Sequence, residues 1–477
     1  MSGDWRTSLY DHMPAAIQSR LLSRVGAKLR NRRFNDEYHG WMSLCAEGEH
    51  WSPDQQRNYA DEQVRRVIRR CFQHVPYYRR VMEERNLKPD DIQGVSDLPK
   101  LPILTKSQVR RHGDEMVADD VTRRDLILGH TSGTTGSPLE FWWDRKVDIA
   151  TNAMVWRHRR FAGVEFGAPY ATLLGRLIVP ASRARPPYWR LNKPWNQLFL
   201  SSFHMRPENL DHYLDAMEHF QVQALEAYPS NAYLLARHLQ SRDRVLPLKA
   251  VFTSSETLMD IQREVIEERF QCGVFDYYGQ AERVMYSGEC REHRGHHHFC
   301  EYGAMEVVDD DGNPVPRGTL GRIILTGFAN DAMPLVRYEI GDVSGFATEV
   351  CPCGRTLPLI AGIATKAEDI VVTPDGRFLS PSVLTHPFKP MHNIEASQII
   401  QEEPSTLTIR VVRREAYSEA DTRMLLAGFR DRVGPDMQLK VEFVDELEMG
   451  GRGKFRWIIS RVPLTFSGEQ VANLHQD

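Results

Sequence analysis

The 477-residue chain lacks the features that mark several large classes of protein. No apolar run approaches the roughly 20 residues that cross a bilayer. The N-terminal stretch MSGDWRTSLYDHMP also lacks the basic-then-apolar layout of a secretory signal. A formal charge of −4 excludes a uniformly basic nucleic-acid binder but leaves a local basic groove open. We therefore predict a cytoplasmic protein that has no membrane and no nucleic acid as a partner.

Cysteine and lysine are also scarce. Seven Cys are too few for a disulfide framework, and an odd number in a cytosolic chain indicates free thiols or metal ligands. Only 11 of the 60 basic residues are Lys. A Lys in a conspicuous setting is therefore a candidate for a specific role, because its compact charge differs from the guanidinium fork of Arg.

The hydrophobic pattern predicts an α/β architecture. Residues 1–90 read as helices, including a basic amphipathic helix over 17–34 that fits a solvated face better than a membrane or nucleic acid. Strands and helices then alternate up to about residue 280, which is typical of a sheet with helical crossovers. Within this part, RLIVP (176–180) is predicted as a strand and 181–200 as a loop. A hairpin is predicted around DDGN at 310–313.

From about residue 368 the pattern changes to a small α+β unit with its own hairpin, strands and helix. We therefore predict two domains, an N-terminal core over 1–367 and a C-terminal unit over 368–477.

The stretch HTSGTTGSP, residues 130–138, is the strongest local signal. Glycines let several backbone N–H groups point into one concavity, and Ser132, Thr134 and Thr135 add hydroxyl donors around it. It is not a Walker loop, because that pattern has a Lys inside it. An ordinary surface turn is the alternative, but six consecutive residues of this kind favour a polyphosphate site.

Three further stretches are weaker alone. In YYGQAE (277–282), Glu282 follows a predicted strand, where a carboxylate can hold Mg²⁺ or simply stabilise a helix start. In RYEIGD (337–342), Asp342 sits at a predicted turn and could accept the hydroxyls of a ribose. In GGRGKFR (450–456), Lys454 could contact a phosphate or carboxylate from a Gly-rich loop, or lie on a basic surface turn.

A cluster of Cys and His predicts a metal site. Cys351 and Cys353 form a tight C-x-C turn, and Cys290 lies upstream with His293, His296, His297 and His298 soon after it. Three Cys and one His make an accepted tetrahedral zinc set. A redox pair or unliganded thiols is the alternative.

The order of these motifs resembles the adenylate-forming (acyl-activating) superfamily, and more narrowly its phenylacetate–CoA ligase branch. The resemblance rests on HTSGTTGSP, SSET (254–257), YYGQAE, RYEIGD, KAED (366–369) and GRGK, in that order over about residues 70–460. It implies a large N-terminal domain of stacked mixed α/β sheets and a small mobile C-terminal lid. It also implies that ATP and a carboxylic acid form an acyl-adenylate, from which a thiol, usually that of coenzyme A, displaces AMP.

Site residues follow by resemblance. The phosphates would be cradled by Thr131, Ser132, Gly133, Thr134, Thr135 and Gly136, of which Thr131 is also taken as catalytic. The nucleotide would contact Ser254, Ser255, Glu256, Tyr278 and, at its ribose, Asp342, with Lys366 and Asp369 at the hinge. Glu282 would bind Mg²⁺, and Lys454 would bridge the acyl carboxylate and the α-phosphate in the first step only. The structural zinc of related enzymes would correspond to Cys290, His296, Cys351 and Cys353.

Departures from the family pattern leave the acceptor open. Ser137 stands where many members have Lys, and Ala281 stands where Thr is usual. Coenzyme A is the expected acceptor, with an amine or a carrier-protein thiol as alternatives. A non-catalytic nucleotide-binding homologue is an alternative of another class. The expected acid is aromatic or otherwise bulky, because Phe203, Tyr228 and Tyr233 fall in stretches near the implied pocket. A homodimer is one possible assembly.

Overall fold

The computed structural model describes residues 10–130, 139–180, 183–256, 258, 260–319, 321–360, 371–379, 383–384, 386–388, 390–391, 393–447, 458–462, 465–466 and 469–470. Among these residues no helix is both long and apolar enough to cross a membrane. The phosphate loop 131–136, the hinge with Lys366 and Asp369, and Lys454 all lie outside the described residues.

The first part of the chain is helical, as predicted. Its helices are α1 (Ala15–Arg33), α2 (Asp36–Gly48), α3 (Pro53–His74), α4 (Pro76–Glu84) and α5 (Lys106–His112). The start of α5 has a capping box in which the backbone N–H of Gln108 donates to the Thr105 hydroxyl at 3.3 Å and the Thr105 N–H donates to the Gln108 side chain at 2.8 Å. These bonds fix the position of Lys106, the first residue of α5.

An antiparallel hairpin carries the Gly-rich stretch. Strands β1 (Ile127–His130) and β2 (Glu140–Trp143) pair from Ile127↔Trp143 to His130↔Glu140, so the predicted phosphate loop joins them at one end. The chain then enters α6 (Arg145–Phe161), whose N-cap Asp144 accepts from the Val147 N–H at 3.0 Å.

A nine-stranded mixed sheet forms the centre of the molecule. Its strands are β3 (Tyr170–Leu173), β4 (Trp189–Asn192), β5 (Gln197–Leu200), β6 (Ala224–Ala227), β7 (Ala250–Thr253), β8 (Val274–Gly279), β9 (Tyr286–Glu289), β10 (His296–His298) and, later in the chain, β14 (Leu359–Ile360). They lie in the order β14-β10-β9-β8-β7-β6-β3-β5-β4. Five neighbouring strands in this order, β8, β7, β6, β3 and β5, are parallel to one another. Their crossovers include α7 (Leu210–His219), α8 (Pro229–Ser241) and α9 (Asp260–Phe270).

Two local predictions at the edge of this sheet are wrong. Residues 176–180 form no strand, whereas β4 and β5 lie inside the stretch predicted as a loop. Pro194 occupies a short 3₁₀ turn between β4 and β5, and Pro187 precedes β4. These prolines flank the strands without removing a ladder hydrogen bond, which is why a proline-rich stretch still forms an edge hairpin.

The next sheet limits one prediction, the DDGN hairpin, and corrects another, the position of Asp342. Strand β11 (Gly303–Val308) pairs with β12 (Gly321–Gly327), and β12 pairs with β13 (Tyr338–Ser344). The DDGN turn folds the chain back onto the end of β11 through the antiparallel bridge Val308↔Pro314. The Asp309 N–H donates to the Asn313 carbonyl at 2.9 Å and the Val315 N–H donates to the Val307 carbonyl at 3.0 Å, so the predicted hairpin forms over these few residues only. Asp342 lies inside β13 and not at a turn between strands. Its predecessor Gly341 has φ +87°, a left-handed conformation that Gly adopts readily.

The C-terminal part is an α+β unit, as the pattern predicts. It contains β15 (Val371–Val372), β16 (Phe378–Leu379), β17 (Ile394–Glu403), β18 (Thr406–Arg413), α10 (Glu419–Val433), β19 (Gln438–Phe443), β20 (Ile458–Ser460), β21 (Thr465–Phe466) and β22 (Glu469–Gln470). A four-stranded sheet has the order β19-β18-β17-β20. Its apolar core also takes in Phe203 and Tyr228 from the preceding part of the chain.

Candidate functional site

The site forms where neighbouring parallel strands end. Strand β7 leads directly into Ser254, Ser255 and Glu256, and β8 leads into Glu282 through a turn. Because β7 and β8 are adjacent and parallel, both stretches leave the sheet at the same edge, which is where ligands of α/β proteins bind. Ser255 has φ +70°, an uncommon conformation for a residue other than Gly. The Glu256 carboxylate accepts from the backbone N–H of Ser230, at the start of α8, at 3.1 Å.

Tyr278 and Asp342 connect two of the sequence motifs. The Tyr278 hydroxyl donates to Asp342 Oδ2 at 2.6 Å, although the residues lie 64 positions apart. Burial, with the Asp342 charge, raises the pKa of Tyr278 well above its usual value. The phenol is therefore a neutral donor at physiological pH, and it holds one oxygen of Asp342 in place.

Glu282 is held in a similar way. Its Oε1 accepts from the Tyr338 hydroxyl at 2.7 Å, and both residues are buried. Burial raises the pKa of Glu282, while Lys106 and the Tyr338 hydrogen bond act in the opposite direction and Asp342 adds to the rise. A buried carboxylate with a second acid nearby offers the hard oxygen ligands that Mg²⁺ prefers.

Lys106 is a site residue that the motifs do not reveal. Its Nζ lies 3.8 Å from the position that a Cβ on Gly341 would occupy, next to Asp342. It is brought there by the capped start of α5 and by the bridge Leu104↔Tyr338. The available signal was weak: Lys106 is one of the few Lys residues and follows a predicted N-cap.

A second cluster gathers thiols and one imidazole. The ligand atoms of Cys290, His297, Cys351 and Cys353 all lie within 4.8 Å of one another. The Cys290 and Cys351 sulfurs are 3.6 Å apart, and the Cys353 sulfur is 3.4 Å from His297 Nε2. Burial lowers the pKa of His297 to about 4, so the imidazole is neutral. The donor set fits a tetrahedral Cys₃His zinc site.

The histidine of this cluster is His297 and not the predicted His296. Successive side chains of a strand point to opposite faces, and His296 and His297 are neighbours in β10. His296 Nε2 lies 3.4 Å from Asp276 Oδ2 instead. With three consecutive His residues, the sequence alone does not show which of them faces the thiol cluster. That depends on how β10 pairs with β9 and β14.

A buried ion network supports the thiol cluster. Arg157 pairs with Glu301 at 2.9 Å, and both side chains are almost completely buried. Glu49 accepts from Arg157 at 3.3 Å and from Arg355 at 2.9 Å. Since Arg355 lies two residues after Cys353, this network fixes the C-x-C turn to α2 and α6.

The aromatic residues expected near an acyl pocket are core residues. Phe203 and Tyr228 pack against the C-terminal unit, and Tyr233 packs within the helical layer beside the sheet. They therefore give no support for an aromatic acid.

Comparisons with known proteins agree with this architecture. Residues 371–461 match the family described as the CapK C-terminal domain. The chain is 24% identical to Protein CapK of Staphylococcus aureus over 459 residues, which cover 95% of this chain and 99% of that protein. It is 26% identical to the phenylacetate-coenzyme A ligase of Thermus thermophilus over 324 residues, covering 66% of this chain and 71% of that protein.

Solved structures show the same fold. A 2-hydroxyisobutyryl-CoA ligase in complex with 2-HIB-AMP and CoA superposes with a TM-score of 0.60 at 18% identity, covering 87% of this chain and 92% of that one. The same ligase in its postadenylation state gives 0.57 at 19% identity, covering 87% and 91%. The predicted fold class is confirmed, as is the resemblance to the phenylacetate–CoA ligase branch of the adenylate-forming enzymes.

Proposed function

We propose that this chain, an adenylate-forming protein similar to the phenylacetate–CoA ligases, is an ATP-dependent, AMP-forming carboxylate ligase. In the first step a carboxylic acid attacks the α-phosphate of ATP, giving an acyl-adenylate and pyrophosphate. In the second step the thiol of coenzyme A displaces AMP. The observation that carries the proposal is the pairing of Tyr278 with Asp342 and of Tyr338 with Glu282 at one edge of the sheet.

The first step brings anions together, so it depends on positioning and on neutralisation of charge. Asp342, held by Tyr278, is suited to accept from the ribose hydroxyls. Glu282 and its acidic neighbour suit Mg²⁺, which would neutralise phosphate charge when bound. We assign the phosphate cradle to residues 131–136 and the acyl carboxylate contact to Lys454, in both cases by the motif resemblance.

Lys106 supplies a cation that the loop itself lacks. Ser137 stands where many relatives of this superfamily have Lys, whereas Lys106 lies beside Gly341 and Asp342. An ammonium group there can neutralise phosphate oxygens. This position supports a phosphate-facing role for Lys106.

We also propose that the protein binds one structural zinc ion. The ligands are Cys290, His297, Cys351 and Cys353, and bound zinc would cross-link the β9–β10 turn to the C-x-C turn. In this proposal the zinc ion is structural and carries no step of the reaction. We propose domain boundaries at 367/368, with the C-terminal unit acting as a lid.

The acid is proposed only as a small-molecule carboxylate. An aromatic acid is favoured by the names of the relatives and not by any described pocket residue. The test is acid-dependent exchange of labelled pyrophosphate into ATP across aromatic, hydroxylated and aliphatic acids, followed by addition of coenzyme A.

Exchange with at least one acid and thioester formation with coenzyme A would support the proposal. Exchange without thioester formation would indicate an amine or carrier-protein acceptor. ATP binding without exchange for any acid would indicate a nucleotide-binding homologue and contradict the proposal.

A further inference from the structure

One buried carboxylate collects three guanidinium groups from distant parts of the chain. Asp148, on α6, accepts from Arg33 at 2.7 and 2.9 Å, from Arg32 at 2.7 Å and from Arg283 at 3.3 Å. Burial raises the pKa of Asp148, but the hydrogen bonds and charges of these arginines outweigh it and lower the pKa to about 2. We call Arg32, Arg33, Asp148 and Arg283 the Asp148 cluster.

Arg283 connects this cluster to the candidate magnesium carboxylate. It follows Glu282 directly in the chain and has φ +56°, a conformation that a residue other than Gly rarely adopts without support. Its guanidinium lies 4.0 Å from the centre of the Trp143 ring, and its Nη1 is bonded to Asp148. The turn that carries Glu282 is therefore fixed at its next residue by a stacking contact and an ion pair.

Trp143 connects the same cluster to the hairpin of the phosphate loop. A Cβ on Gly129 would lie 2.5 Å from Trp143 Cη2 and 2.6 Å from Phe141 Cε2. Only a glycine therefore lets the two rings lie across β1 at this level. Gly129 is two residues before Thr131, so Trp143 packs between the base of the phosphate loop and the Glu282 turn.

We infer that the Asp148 cluster and Trp143 are positioning residues for the nucleotide–metal site. Helix α1 contributes to that positioning through Arg32 and Arg33. This inference rests on the proposed function for the roles of Glu282 and residues 131–136. Asp148 fixes the Arg283 side chain through an ion pair, and Arg283 in turn fixes the turn that carries Glu282. The Trp143 ring, on β2 of the hairpin, packs against the Arg283 guanidinium and so connects this turn to the hairpin. Helix α1 ends with Arg32 and Arg33, so it closes the cluster from outside the region of motif resemblance.

The experiment measures how strongly metal and ATP binding are coupled. The dissociation constant of ATP is determined by calorimetry in Mg²⁺ and again in EDTA, and the quotient of the EDTA value over the Mg²⁺ value is the metal-coupling ratio. Removing a residue that orients a metal ligand lowers metal affinity by about tenfold or more. We therefore expect Arg33→Gln to lower the ratio about tenfold, and Arg33→Lys to restore part of it.

Two further variants keep the inference testable. Arg283→Lys keeps the charge beside Asp148 but loses the planar group that stacks on Trp143, and it should also lower the ratio. Arg30→Gln is the matched control, because Arg30 lies on the same helix and contacts the Pro194 carbonyl and the Phe166 ring instead. It should leave the ratio unchanged. Thermal unfolding is measured for every variant.

An unchanged ratio in Arg33→Gln and Arg283→Lys, with a lowered Tm, would make the cluster purely structural and overturn the inference. That result would leave the ligase proposal intact. Conversely, a wild-type protein that binds MgATP but exchanges pyrophosphate with no acid would defeat the ligase proposal, while the ratios would still decide this inference. Wild-type protein whose ATP binding does not depend on Mg²⁺ would overturn this inference, and the exchange assay alone would then decide the ligase proposal.

Discussion

Replacing Tyr338 by Phe tests whether Glu282 is the metal carboxylate. The substitution removes the hydroxyl that donates to Glu282 Oε1 at 2.7 Å and leaves the ring in its buried place. A hydrogen bond to a charged group contributes about 1.5–3 kcal/mol. If the bond is needed to keep Glu282 ready for Mg²⁺, that loss corresponds to a factor of roughly 10–150 in metal affinity or rate.

The substitution should also change the pH dependence. Burial raises the pKa of Glu282, and the Tyr338 hydrogen bond opposes that rise. Without the bond the pKa rises further, so a larger fraction of Glu282 is protonated at any given acidic pH. Only the carboxylate form binds Mg²⁺. The acidic limb of the pyrophosphate-exchange profile should therefore move to higher pH in Tyr338→Phe.

Tyr78→Phe is the matched control. Tyr78 is a buried tyrosine whose hydroxyl donates to the Pro334 carbonyl at 3.1 Å and accepts from the Val336 N–H at 2.9 Å. It should lose stability without a change in Mg²⁺ requirement. If Tyr338→Phe lowers Tm as Tyr78→Phe does and leaves both the Mg²⁺ requirement and the acidic limb unchanged, the assignment of Glu282 is refuted.

Three further predictions follow from the proposed roles. Lys454→Ala should abolish pyrophosphate exchange yet leave thioester formation from a supplied acyl-adenylate largely intact, and loss of both activities would contradict the two-state lid. Elemental analysis should find one zinc per chain, retained in His296→Ala and lost in His297→Ala; equal retention in both would refute the zinc assignment. Glu301→Gln should lower the free energy of unfolding by about 3–5 kcal/mol, because it leaves the buried Arg157 with only its longer pair to Glu49 at 3.3 Å, and a denaturant midpoint equal to that of the wild type would contradict this.

Local signals in the sequence account for much of the fold. The capping residues around Lys106, the glycines of the hairpin and the alternation of strands with helices all act over a few positions, so they can be read from neighbouring residues. The placement of Ser254 and Glu282 after strands that end at one edge of the sheet was predictable for a related reason. Adjacent parallel strands that are joined by one helix end at the same edge of a sheet.

The features that were wrong or missed depend on pairing between distant segments. His297 and His296 differ only in which face of β10 they occupy, and that face is set by strands elsewhere in the chain. Asp148 meets Arg33 from 115 positions away and Arg283 from 135 positions away. No periodicity or motif encodes such contacts, because each residue alone looks like an ordinary surface charge.

The shared apolar core of the two halves of the chain limits how the C-terminal unit can move. Phe203 and Tyr228 are buried among residues of that unit, and Arg377 donates to the Phe203 carbonyl at 2.7 Å. Exposing an aromatic side chain of 150–250 Å² costs roughly 4–6 kcal/mol as an upper bound. The unit is therefore not a module tethered loosely to a finished domain. Cutting the chain between the two halves would remove Phe203 and Tyr228 from the core of the C-terminal unit. Any rotation of that unit must bury both rings again in new contacts.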